Sequence, residues 1–146
     1  MNQTKYLMKP LLLIPSILLL LFSCGDKIVE KVEETYPNNK PKTTIFYKVV
    51  DEKEVKVREK DFYENGKVKM EGEIKDEKRT GIWKAYYDNG QLWSEGEFLN
   101  GERTGKAKIY FPNGIIDTDG NYTKGKPSGT WKYYNEQGIL VEEVVK

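Results

Sequence analysis

The sequence predicts an all-β fold: a single-layer, twisted antiparallel β-meander of stacked hairpin repeats. Three observations predict it. Glycines recur every 24 residues on three interleaved series: Gly66, Gly90, Gly114 and Gly138; Gly81, Gly105 and Gly129; Gly72, Gly96 and Gly120. Between them run paired segments whose side chains alternate with period two, such as Gly81, Trp83, Ala85, Tyr87 and then Leu92, Ser94, Gly96, Phe98 around Asp88-Asn89-Gly90. Finally, one hairpin register places Lys84 opposite Glu95, and its repeats place Lys60 opposite Glu71, Lys108 opposite Asp119 and Lys132 opposite Glu143. Each cross-strand pair of opposite charge contributes ~0.2–1 kcal/mol, so four pairs from one register support it better than any single pair. Self-similarity at this period marks an array, in which one unit cannot bury its own apolar face and stacks on its neighbours.

The N-terminal segment, residues 1–23, reads as an address. Lys5 and Lys9 precede the aliphatic run Leu11 to Leu21, a pattern of secretory signals and too short for a comfortable membrane-spanning helix. Leu21-Phe22-Ser23-Cys24 then resembles a bacterial lipobox, although Phe22 is bulkier than the usual residue at its place. The resemblance implies a cut before Cys24, lipidation of that cysteine, and a protein held on a membrane of the bacterial cell envelope, inner or outer. Residues 24–43 follow, with alternating charges and then Pro37, Asn38, Asn39, Lys40 and Pro41. Few large apolar groups occur there, and the segment is expected to be a flexible, solvated tether that holds the folded part off the bilayer. A short helix over residues 28–35 would have little to pack against.

The repeat domain is expected over residues 44–146, in about eight strands. Thr44 to Val50 and Val55 to Tyr63 form a worn first unit, in which Val57 and Glu59 stand where later units have glycine and tryptophan. In the next unit Trp83 is expected against Gly96 on one side. Pairing Ile74 with Gly81 across a loop over residues 76–79 sets Trp83 against Gly72 on the other side. Trp131 is expected beside Gly120, with Val144 on its other side. Glycine weakens a strand, but a missing side chain leaves room for a ring to lie flat. Thus Gly72, Trp83, Gly96, Gly120 and Trp131 are the structural residues of the array. Asn-Gly is a favoured tight turn, yet Pro112 stands before Asn113-Gly114. A four-residue loop with Tyr87 opposite Leu92 keeps the register, whereas a three-residue loop with a glycine bulge would shift every face by one.

Composition narrows the function. No histidine occurs, which removes the commonest general base and metal ligand. Cys24 is the only cysteine, so neither an intrachain disulfide nor a cysteine zinc cluster can form. The formal charge of +1 becomes −1 without residues 1–23, which argues against nucleic acid. The recurring glycines lie at turns and beside rings, not in a phosphate loop before a helix. Asp117, Asp119 and Asn121 are the best cation candidate, but no metal, cofactor or catalytic residue is assigned.

The spacing from Ser94 through Gly96, Phe98, Gly101, Gly105, Ala107 and Gly114 resembles the MORN repeat. So does the run from Thr118 through Gly120, Tyr122, Gly125, Gly129, Trp131 and Gly138. Met70, Ser94 and Thr118 replace the usual first tyrosine, and Trp83, Ala107 and Trp131 replace the second glycine of the late pair. That pattern is closer to the bacterial MORN-repeat-variant group and covers roughly residues 57–143. The resemblance implies a twisted sheet of hairpins and no single activity. The leading expectation is a non-enzymatic, lipid-anchored envelope protein that binds protein partners and the membrane. An antitoxin or immunity protein, and an accessory to an enzyme of envelope polysaccharide or lipid, are the rivals. The candidate binding face carries Phe62, Tyr86, Tyr110 and Tyr134, with Trp93 opposite Tyr86, beside the lysine–acid ladder. Arg79, Arg103 and Lys126 recur at one edge as ordinary loop charges or contacts for phosphate head groups.

Overall fold

The computed structural model describes residues 27–146. Residues 1–23 and Cys24 lie outside them. Ten antiparallel strands form one open sheet in strict sequence order. They are β1 (Ile28–Thr35), β2 (Pro41–Val50), β3 (Lys53–Phe62), β4 (Val68–Lys75), β5 (Lys78–Tyr86), β6 (Leu92–Leu99), β7 (Glu102–Tyr110), β8 (Ile116–Thr123), β9 (Lys126–Tyr134) and β10 (Leu140–Val145). No helix is present among the described residues.

The segment expected to be a tether is a strand. β1 pairs with β2 from Ile28↔Lys48 to Thr35↔Pro41, which raises the count from eight strands to ten and starts the domain before residue 44. Its sequence hid this because polar contacts and the backbone ladder, not apolar burial, hold it. Lys31 bonds Glu54, Lys42 lies 2.8 Å from Glu34, and the Tyr47 hydroxyl donates to Glu33.

All four charge pairs fall opposite each other, as the register requires: Lys60↔Glu71, Lys84↔Glu95, Lys108↔Asp119 and Lys132↔Glu143. The loops that deliver this register differ from expectation. Tyr87 N–H donates to Gln91 O at 2.8 Å and Gly90 N–H to Tyr87 O at 2.9 Å, with Gly90 at φ +90°. This is a three-residue loop, a type I turn followed by a glycine bulge. The same bonds close Tyr63–Lys67, Phe111–Ile115 and Asn135–Ile139. Pro112 fits because the loop uses the N–H groups of Phe111 and Gly114, and proline suits the first central position of a type I turn. The faces stay in step because a second irregularity cancels the first. Ala85 pairs with Ser94 but Tyr86 pairs with Leu92, leaving Trp93 as the extra residue. Tyr87 is therefore not opposite Leu92.

The intervening turns are tighter than expected. Asp76 and Glu77 form a two-residue turn between Lys75 and Lys78, both at positive φ, and Ile74 pairs with Arg79, not with Gly81. Gly72 faces a stretch of three residues, Gly81 to Trp83, between the pairs Glu71↔Lys84 and Glu73↔Thr80. Two extra residues are an even number, so the side-chain alternation survives. Two turn types thus alternate along the meander and form two rows, one at each end of the strands.

Candidate functional site

One face of the sheet carries the two indoles. The Trp83 ring lies on Gly72, where a methyl group would come within 2.3 Å of it, and its Nε1–H donates to Glu73 O at 3.0 Å. Trp131 repeats this on Gly120 at 2.3 Å, donating to Asn121 O at 3.2 Å. Trp83 also pairs with Gly96 and Trp131 with Val144, as expected, but each ring leans over only one neighbour. A methyl group at Gly96 would instead meet the Arg103 side chain at 3.4 Å and Ala107 Cβ at 3.8 Å. Trp83 is 4% and Trp131 8% exposed. In a one-layer sheet something must cover them, and on Trp83 it is an arginine.

The Arg79 guanidinium stacks 4.1 Å from the Trp83 ring centre and 5.9 Å from that of Phe98. Arg103 lies 5.3 Å from Phe98 and 5.4 Å from Tyr122. Edge contacts join Trp83 to Phe98 at 6.3 Å and Tyr122 to Trp131 at 5.2 Å. A continuous column therefore crosses β5 to β9 in the order Trp83, Arg79, Phe98, Arg103, Tyr122, Trp131. It lines an open groove of about 270 Å³ whose other residues include Met70, Ala85, Ser94, Trp93, Ala107, Ile109 and Thr118. Among the described residues no carboxylate lies within 4 Å of either guanidinium; the ion pairs use other cations. Glu59, opposite Gly72, is an acid toward this end of the face. Burial and the nearby Asp61 push its carboxyl pKa up, and Arg79 partly offsets this.

The opposite, ladder face is occupied by its own contacts. The Tyr86 hydroxyl donates to Glu71 at 2.9 Å and Tyr110 to Glu95 at 2.8 Å. Burial first, and then these carboxylates, push both phenol pKa values up to about 12. Burial would raise the Glu71 carboxyl, but hydrogen bonds from Tyr86 and Arg58 outweigh it and hold it low. Lys60 lies 3.4 Å from Glu71 and Lys132 3.9 Å from Glu143.

The aromatic row proposed from sequence keeps its step, with Phe62, Tyr86, Tyr110 and Tyr134 opposite Val68, Leu92, Ile116 and Leu140. Trp93 does not join it opposite Tyr86: as the extra residue its ring lies 6.4 Å from Tyr87, and it lines the groove. Sequence reasoning treated Arg79 and Arg103 as loop charges. Their 24-residue step, shared by Phe98 and Tyr122, was the available signal. Lys126 is not their equivalent; Pro127 takes that place opposite Tyr122. No group of three or more His, Cys, Asp or Glu that could hold a metal occurs among the described residues.

Three segments, residues 57–76, 79–100 and 103–124, match the family model described as MORN repeat variant. The match is to three successive repeats within the array. The second and third segments each span one hairpin, β5–β6 and β7–β8, with its glycine loop at the centre and the tight turns at its borders. Together the three cover less than half of the 146 residues. The β9–β10 hairpin continues the structural pattern beyond them through Trp131 and Gly138. No curated protein and no solved structure matches the chain.

Proposed function

We propose that this is a non-catalytic, lipid-anchored envelope protein whose repeat sheet binds an acidic segment of a protein partner in the arginine–aromatic groove. The supporting observation is the pair of guanidiniums held on rings with no carboxylate within 4 Å among the described residues. Stacking on rings leaves the in-plane N–H groups directed past the ring edges, where they can pair with a carboxylate. Arg79 is on β5 and Arg103 on β7. Two strand spacings separate them by about 9.5 Å, which one three-residue turn of a polyproline II segment at ~3.1 Å per residue also spans, with its first and fourth side chains on one side. A polyproline II segment with acids three positions apart therefore fits both cations. Cys24, outside the described residues, carries the anchor in this reading.

The test is anisotropy titration of a labelled peptide containing Glu-Pro-Pro-Glu, against its Gln-Pro-Pro-Gln twin. The acidic peptide should bind the wild-type protein at least about tenfold more tightly, weaken with salt, and lose that preference with Arg79→Gln/Arg103→Gln. Equal binding of both peptides rejects the groove as an acid receptor.

A further inference from the structure

We infer that the protein meets the bilayer by the corner of the sheet where β1 begins, with the row of two-residue turns toward the lipid and the row of Asn-Gly turns away from it. The inference rests on the lipid anchor of the proposed function and adds an orientation and a contact surface.

Chain length carries the argument. β1 starts at Ile28, and the chain is pinned one residue earlier, because Val49 N–H donates to Lys27 O at 2.9 Å. Only Gly25 and Asp26 separate that pin from Cys24. Three extended Cα steps reach at most about 11 Å. A solvated tether through residue 43 would have allowed several times that distance, and pairing of β1 with β2 removes it. In this reading the acylated residue lies no more than about 11 Å, little over two strand spacings, from the pinned start of the sheet.

Strand direction decides which end is near. Ile28 lies at the end of β1 away from the turn bonded between Tyr36 and Lys40, so it shares an end with the turns at Asp51–Glu52, Asp76–Glu77, Asn100–Gly101 and Lys124–Gly125. The other row, which holds Asp88 and Gly90, is one strand further out, about 30 Å for strands of this length. The near corner is also suited to an interface. Ile28, Val50 and Val55 are 51%, 43% and 47% exposed. Lys48 pairs with both Ile28 and Val55, and Val50 pairs with Lys53, so the three apolar side chains share one face. The exposed apolar side chains match the interfacial region of a bilayer, and the acids Asp51, Glu52, Asp76 and Glu77 in the same turn row favour a zwitterionic over an anionic surface.

The test uses the full, acylated protein in phospholipid vesicles that contain a head-group-linked quencher. Acylation consumes the sole native cysteine, so Val50→Cys and Asp88→Cys each take one environment-sensitive fluorophore. Quenching at position 50 should exceed that at position 88 several-fold. Equal quenching in an acylated protein overturns the orientation while leaving the anchor intact. Absence of the acyl mass in the same preparation overturns both.

Discussion

Gly72 and Gly96 both flank Trp83, yet only Gly72 lies under its ring. The two positions therefore respond differently to the same methyl group. At Gly72 it would fall 2.3 Å from the indole and force the ring away from Glu73 O. At Gly96 its nearest atoms, 3.4 and 3.8 Å away, are an arginine terminus and a methyl group. We predict that Gly72→Ala costs about 1–3 kcal/mol, the range for an overpacked site, while Gly96→Ala stays within about 0.5 kcal/mol. Urea denaturation of the two variants compares them directly. Equal losses would place the ring between its neighbours, as the strand pairing alone suggests. Sequence made the glycine–tryptophan adjacency legible, but not the direction of lean, because a ring rotamer is chosen by the carbonyl it can reach and the cation that covers it.

At the scale of elements, the hairpins are joined by hydroxyls as well as by strand ladders. Tyr36 OH donates to Phe62 O at 2.8 Å, Tyr63 OH to Tyr86 O at 2.7 Å, and Tyr87 OH to Tyr110 O at 2.7 Å. Each tyrosine opens a glycine-type loop and reaches the end of a strand in the next unit. Phe111 holds that place in the following loop and has no hydroxyl. Phe111→Tyr should supply a bond to Tyr134 O and raise stability by about 0.5–1.5 kcal/mol, the usual net worth of such a bond. A higher urea midpoint with an unchanged slope is the expected result; no change would mean that the phenol does not reach the carbonyl. The loops also show why the register was legible and the loop length was not. Four charge pairs constrain only the sum of the irregularities in a hairpin. A three-residue loop with one extra residue at Trp93 leaves those pairs where a four-residue loop would put them.

Across the whole molecule, the ladder face sets the response to pH. Tyr86 and Tyr110 have their phenol pKa values raised from 10 to about 12 by burial and by Glu71 and Glu95. A raised folded value contributes stability below the unfolded value and loses it as pH climbs through the folded one, so the loss runs from about pH 10 to about 12. Glu71 is lowered below 4.5, and its contribution is lost as pH falls through its folded value. Denaturation midpoints should therefore be flat near neutrality and fall at both extremes. Tyr86→Phe/Tyr110→Phe should shallow the alkaline limb without removing it, since the Tyr47 and Tyr87 values are raised too. An unchanged alkaline limb would show that the two phenols are not held by the acids. The open sheet joins these local devices: a face tied up in tyrosine–acid bonds, and a face whose two arginines lie on rings with no carboxylate within 4 Å among the described residues.

The sequence by itself determined the period, the strand faces, the four-rung charge ladder and the nesting of Trp83 and Trp131 beside glycines, because each repeats at a spacing that only stacked hairpins satisfy. Tertiary structure decided what has no periodic mark. It recruited β1, whose charged residues gain partners only once β2 and β3 are alongside. It laid Arg79 over Trp83 and Arg103 between Phe98 and Tyr122, since rings in a one-layer sheet need a cover and a guanidinium near the start of β5 or β7 is a flat group within reach.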